Sequence, residues 1–180
     1  MEILYGPNFN IDSETAVAIG KFDGIHLGHK KIIQTLVEIS KKMNLKSIVY
    51  TFDKNPKLVL NREKFTPLMT NEEKNKALEK LNIDYLIYEK FDNNFASLLP
   101  EEFVKDILVK KLKVKAVIIG ENSTFGKDRS GNINLMKELG KKYDFQVFVV
   151  ELLKENGEVI SSTRLRENSS LLINNCLTKD

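Results

Sequence analysis

Short β-branched apolar runs alternate along this chain with longer segments of helical period, a pattern that sharply narrows the folds open to it. The runs fall at residues 15–19, 47–52, 85–88, 116–119 and 146–152. Most are continuously apolar rather than alternating, as in strands buried on both faces of a parallel sheet. Between them, residues 27–43 carry Ile32, Ile33, Leu36, Val37 and Ile39 as an apolar stripe. A second helix is predicted over 71–81, behind a cap at Thr70 or Asn71. A third, over 100–112, has Pro100 at the tolerated first position and Phe103, Ile107 and Leu108 on one side. A fourth, over 133–142, includes Gly140, which reads equally well as the start of the exit turn. Segments 61–70 and 89–99 read as loops, the second with Phe91 and Phe95 among polar residues. This order predicts an α/β fold with a mainly parallel sheet. Ligands in such folds sit beyond the carboxyl ends of the strands, so the segments directly after each strand matter most.

A length of 180 residues predicts one domain. Such a chain buries roughly 70% of its unfolded surface and needs no disulfide or metal to hold its core. Its 42% hydrophobic and 29% charged residues exclude a disordered chain. A net charge of +3 is too weak to argue for nucleic acid. The pairs Lys41–Lys42, Lys110–Lys111 and Lys141–Lys142 each fall near a predicted helix end, where they complement the helix dipole. One cysteine, Cys176, excludes an internal disulfide framework and a cysteine-rich zinc site. No apolar run reaches the roughly 18 residues of a membrane span, and the stretch after Glu2 does not read as a signal peptide. The expectation is a soluble, cytoplasmic protein with no nucleic-acid or membrane partner.

Four segments carry chemistry. Gly20-Lys21-Phe22-Asp23-Gly24-Ile25-His26-Leu27-Gly28-His29 runs from the first core strand into the longest helix and holds the chain's two histidines. One helical turn would bring them together. Three glycines allow a tight turn, and a helix N-terminus presents N–H groups to an anion such as phosphate. The plain alternative, histidines merely capping a turn, fits one histidine better than two at such a junction. A metal site with Asp23 as third ligand is a rival, but it lacks a further His or Cys. Ile160-Ser161-Ser162-Thr163-Arg164-Leu165-Arg166 joins hydroxyl caps to two of only four arginines, the forked donors suited to phosphate. Another, Arg129, lies in the loop from Gly120 to Gly131. That loop tempts a P-loop reading and fails it. Five residues separate Gly120 from Gly126, and Asp128 stands where a magnesium-binding Ser or Thr belongs. It reads instead as a glycine-hinged loop with Asn122 and Phe125 as recognition groups. Finally, Thr51-Phe52-Asp53-Lys54-Asn55-Pro56 reads as a strand-exit turn, because Asn55 precedes a proline.

Together these segments resemble the adenylyltransferase module of bacterial bifunctional riboflavin kinase/FMN adenylyltransferases, the FAD synthetases. GKFDGIHLGH resembles that family's His-x-Gly-His signature, and ISSTRLR its ISSTxxR signature. TFDKNP and GENSTFGKDRSG are similar to the segments the family has at those places. The resemblance implies a Rossmann-like nucleotidyltransferase fold over 1–166, with 167–180 a short tail. It also implies magnesium, ATP and FMN, in the reaction FMN + ATP → FAD + pyrophosphate. Residue by residue, His26, His29 and Arg166 match the catalytic set. Gly20, Phe22, Gly28, Ser162 and Thr163 fall on the ATP side, and Asn122, Phe125 and Asn55 on the flavin side.

Two positions depart from the pattern. Asn55 stands where the family often has His, and Ser123 where an aromatic commonly follows. No segment resembles the family's riboflavin kinase domain, so the chain is expected to leave riboflavin unphosphorylated. Two alternatives accompany this reading. One is a related nucleotidyltransferase with another phosphate-bearing acceptor; the other is a non-catalytic flavin- or nucleotide-binding protein.

Overall fold

The computed structural model describes residues 1–59 and 67–151, and the backbone of Lys154–Glu155 and Glu158–Val159. Six strands form one all-parallel sheet: β1 (Glu2–Tyr5), β2 (Thr15–Ile19), β3 (Lys46–Phe52), β4 (Tyr85–Glu89), β5 (Val114–Gly120) and β6 (Gln146–Val150). Their order across the sheet is β1-β4-β3-β2-β5-β6. A two-residue hairpin, β7 (Lys154–Glu155) with β8 (Glu158–Val159), follows. The chain leaves β2 for β3 on one side and later reaches β5 on the other. The topological switch point is therefore between the carboxyl ends of β2 and β5, where a crevice opens in such sheets.

Helix α1 (Leu27–Met43) spans the predicted residues and buries Ile33 and Leu36. With Ala77 and Leu78 of α3 (Asn71–Glu79) it covers the sheet face formed by Ala16, Ala18, Val49, Leu86, Ala116 and Ile118. Thr70 caps α3 in a reciprocal box with Glu73: Glu73 N donates to Thr70 Oγ1 at 3.2 Å, and Thr70 N donates to Glu73 Oε2 at 2.7 Å. Two single turns, α2 (Pro56–Val59) and α4 (Asn93–Ala96), occupy connections. The second corrects the loop reading of 89–99, with Asp92 as its cap.

The predicted helix over 100–112 is two pieces. A short α5 (Pro100–Glu102) opens into a π-helix, Phe103–Lys111. The wider turn sets Phe103, Val104, Leu108 and Leu112 inside and leaves Ile107 half-buried, so the inward face differs from the one the α-period suggests. With Met136 and Leu139 of α6 (Ile133–Tyr143) this segment covers the other sheet face, formed by Val17, Ile48, Tyr50, Ile87, Val117 and Ile119. All three lysine pairs fall in last turns, as expected. Strand β1 escapes a reading by apolar runs because it is a half-exposed edge strand of four residues, specified by pairing with β4. No helix among the described residues is long and apolar enough to cross a membrane. The expected tail 167–180, Cys176, and Ser162, Thr163, Arg164 and Arg166 lie outside the described residues.

Gly140 is inside α6 rather than in its exit turn, which begins at Asp144 in a left-handed conformation (φ 59°). A Cβ at Gly140 would stand 2.8 Å from the Phe145 carbonyl oxygen and 3.2 Å from Val147 Cγ2. Helix propensity alone favours alanine by about 1 kcal/mol, but a backbone oxygen cannot step aside as a side chain can. Gly140→Ala is therefore expected to destabilise the chain by about 1–3 kcal/mol. Thermal unfolding checks this; a melting temperature at or above the parent's would mean that α6 can shift as a body.

Candidate active site

The histidine segment leaves β2 at the switch point and turns within a few residues into α1. Three of its backbones are left-handed: Phe22 (φ 46°), Gly24 (φ 91°) and Ile25 (φ 34°). For a β-branched residue such as Ile25 this is a strained conformation, and it persists only where the surroundings over-determine it. They do. The Lys21 carbonyl accepts from Thr51 Oγ1 at 3.1 Å and from Lys74 Nζ at 3.1 Å. Asp23 Oδ1 accepts from Leu68 N at 2.9 Å. Ile25 and Phe22 are fully buried, so core packing pins the turn from below.

The turn delivers both imidazoles to one spot. His26 is the N-cap of α1 with an extended backbone, and its side chain makes no capping bond. His29, one turn on, stacks against it with ring centroids 3.8 Å apart and planes 23° apart. Phe22 packs beneath His29 at 5.3 Å, and a Cβ at Gly20 would strike the Phe22 ring at 3.0 Å. Gly20 and Phe22, expected on the ATP side, thus form the floor beneath the pair. Phe22 in particular is buried and faces inward. The first turn of α1 contains no acidic residue, so its positive end is uncompensated. Nδ1 of both histidines is buried and unpartnered. Orphaned polar atoms beside a bare helix N-terminus suit an anionic, hydrogen-bonding ligand.

Electrostatics fix the protonation state. Burial pushes His26 down from 6.5 to about 4. Burial pushes His29 well below its ordinary value, and the charges of His26 and Lys74 push the same way. At neutral pH both rings are neutral N–H donors, not cations. Among the described residues no three His, Cys, Asp or Glu side chains gather to hold a metal ion, so the rival set with Asp23 does not assemble there.

Opposite the pair, the loop after β5 supplies the other predicted groups. Gly120 lies within ordinary contact of α1 and of its own loop: a Cβ there would lie 3.6 Å from Ile32 Cδ1 and 3.7 Å from Asn122 Oδ1. Asn122 is exposed at this edge. Phe125 is half-buried and pairs with Gly131. Its ring ends an aromatic run through Phe103, Phe95, Phe91 and Phe52, each neighbouring pair of centroids 5.1–6.0 Å apart. Asn55 lies elsewhere, at the exit of β3. There it lines a cavity of about 220 Å³ with Lys21, Asp23, Asp53, Asn71 and Lys74. Asp53 is structural in this turn, accepting from Lys54 N at 2.7 Å and Phe91 N at 3.1 Å.

Lys74 escaped the sequence reading. It is 6% exposed although charged. The signal was present: residues 74, 77 and 78 share one stripe of α3, and an ionisable group sits on the apolar side.

The sequence profile described as FAD synthetase matches residues 8–164. A protein of Buchnera aphidicola subsp. Schizaphis graminum, named bifunctional riboflavin kinase/FMN adenylyltransferase, is 41% identical over 159 residues, covering 87% of this chain and 51% of its own. One of the same name from Escherichia coli K12 is 35% identical over 152 residues, covering 84% and 49%. A Listeria monocytogenes protein named FAD synthetase is 36% identical over 163 residues, covering 87% and 64%. The chain thus spans about half the length of several curated relatives that it matches. A solved structure named macrolide-efflux protein, from Streptococcus pneumoniae, superposes with a TM-score of 0.75 at 28% identity, covering 88% of this chain and 51% of that one. A pantoate-beta-alanine ligase from Francisella tularensis superposes at 0.57 with 19% identity, covering 87% and 66%, a likeness of fold alone. The matched span includes both strand ends at the switch point, the histidine turn on one and the glycine-hinged loop on the other, and the chain belongs to the FAD synthetase family.

Proposed function

We propose that this chain transfers AMP from ATP to FMN, giving FAD and pyrophosphate. The observation that carries the reading is the stacked neutral pair His26–His29 at the uncompensated N-terminus of α1. An FMN phosphate oxygen is already an anionic nucleophile, so no Ser, Cys or carboxylate nucleophile is needed. That oxygen forms a bond to the α-phosphorus, the bond from Pα to the bridging oxygen breaks, and pyrophosphate leaves with the electron pair. The protein's task is to align the two phosphates and donate hydrogen bonds to oxygens that gain charge. The His26 and His29 rings and the N–H groups around Gly28 supply those donors. Ser162, Thr163 and Arg166 complete the grip on the ATP phosphates. Asn122, Phe125 and Asn55 belong to the acceptor side, where a flat flavin ring suits aromatic surface.

The described residues offer no cluster of metal ligands. Magnesium enters this reading as part of the substrate, carried on the nucleotide's own phosphates, where it neutralises charge. A cytoplasmic location agrees with the supply of both substrates. Incubation with magnesium, ATP and flavin is expected to convert FMN to FAD with release of pyrophosphate and to leave riboflavin unchanged. Chromatography of the flavins checks this, and FMN or FAD arising from riboflavin in kinase-free protein would overturn it.

His29→Ala is expected to lower kcat by about 10²–10³-fold, with a smaller change in KM for ATP, because the lost contact strengthens as the transition state forms. Steady-state kinetics decide it, and a raised KM with unchanged kcat would contradict the role.

The buried His26 also makes stability depend on pH. Its folded value, about 4, lies below the unfolded 6.5, so the unfolded chain binds more protons between these values. The stability that His26 contributes therefore falls as pH drops through this window, by about 3 kcal/mol. His26→Gln, which cannot titrate, is expected to show a flatter stability curve from pH 6.5 to 4 in denaturant unfolding. Parallel curves would remove His26 from the linkage.

A further inference from the structure

We propose that Lys74 is a positioning residue for the histidine pair: from α3 its ammonium grips the Lys21 carbonyl, fixing the strained turn that aims His26 and His29, and keeps a positive charge beside His29. This deepens the adenylyl-transfer reading and rests on it for its kinetic consequence alone.

The geometry is specific. Lys74 is almost wholly buried on the inner stripe of α3, between Ala77 and Leu78 one turn on and the β2–α1 turn. Its Nζ donates to the Lys21 carbonyl at 3.1 Å and stands 5.5 Å from the centroid of the Tyr88 ring of β4. That carbonyl precedes the left-handed Phe22, so holding it sets the direction in which the chain enters the turn. Thr51 of β3 holds the same oxygen at 3.1 Å, but with a neutral hydroxyl. A burial of this kind is costly for an ammonium, and an unbranched apolar side chain would fill the stripe at less expense. The ammonium adds what an apolar residue lacks, a donor for Lys21 and a charge.

Among the described residues, the charged and titratable groups around it are few. Asp23 of the turn attracts the ammonium, and its carboxylate also holds Leu68 N. His29 faces it from α1. Tyr88 faces it from β4, its hydroxyl bonded to Asn75. Asp53 at the exit of β3 lines the same cavity. On its own helix Glu73 is engaged with Thr70 at the exposed N-terminus. Burial pushes Lys74 down to about 8, with Asp23 opposing that shift, so the group is mostly charged at neutral pH and discharges just above it. While charged, it adds to burial in disfavouring an imidazolium at His29.

The chain's two histidines give two sets of ring signals, so NMR titration reads the site directly. Lys74→Met preserves the length and apolar body of the side chain while removing the charge and the donor. It is expected to raise the acid midpoint of His29 by about half to one pH unit. Lys74→Arg keeps the charge and should hold the midpoint near the parent's. Thr51→Val removes the other bond to Lys21 and should lower the melting temperature without moving the midpoint. A folded Lys74→Met with the parent's midpoint would overturn the proposal. Should that variant not fold, the parent chain supplies the test: its His29 signals should shift a second time near pH 8 as Lys74 discharges, and a flat trace there would overturn the role. In steady-state assays Lys74→Met should lose about 10- to 100-fold in kcat, with KM for ATP changed less than threefold; an unchanged kcat would count against it. Failure of the parent chain to make FAD would sink the adenylyl-transfer reading and leave the NMR result for Lys74 standing.

Discussion

The geometry of the site begins with β2 at the centre of a parallel sheet. This strand pairs with β3 on one side and β5 on the other, and its first four residues are buried. Ala16 and Ala18 face α1, and side chains this small let the helix lie close to the sheet. Val17 faces the π-helix and α6 side. A helix that must return along the sheet from such a strand starts at the strand's carboxyl end, beside the end of β5. The anion-seeking terminus of α1 and the loop after Gly120 are neighbours for that reason, before any catalytic side chain is considered.

Close approach of helix and strand leaves little chain for the turn between them. Its left-handed Phe22 and Ile25 each cost on the order of 1–3 kcal/mol. Two donors on the Lys21 carbonyl, the Asp23 bond to Leu68 and the buried side chains of the turn hold it against relaxation. The result is a pair of imidazoles that stack without a mutual hydrogen bond and keep Nδ1 atoms buried and unpaired. A rigid site built this way does little reorganising when an anion arrives, which is what electrostatic catalysis requires.

A second polar arrangement steadies the aromatic run. The Tyr50 hydroxyl donates to Glu89 Oε2 at 2.7 Å, and the Lys111 ammonium lies 3.5 Å from the same oxygen and over the Phe9 ring at 4.1 Å. Burial and the neighbouring Glu89 carboxylate push the Tyr50 phenol far upward, so it remains a donor. This links β3 and β4 to the last turn of the π-helix. It sets Phe52 and Phe103 where they meet Phe91, Phe95 and Phe125.

The α/β alternation, five of the six sheet strands, helix α1 to the residue, and the histidine pair with its helix start are all legible in the sequence alone. Each rests on local information: apolar runs of strand length, a 3.6-residue stripe, and glycines beside two histidines three apart. Packing settled what depends on residues distant in the chain. Strand β1 exists because β4 offers it a partner, and the widened turns of the π-helix choose Val104 over Ile107 for the interior. Gly140 lies within α6, where the Phe145 carbonyl leaves no room for a side chain. The histidines are neutral because burial makes them so, and Lys74 joins the site because α3 folds onto a turn some fifty residues earlier. Periodicity marks which face of an element is apolar; which atoms a buried charge will meet is fixed only when the elements pack.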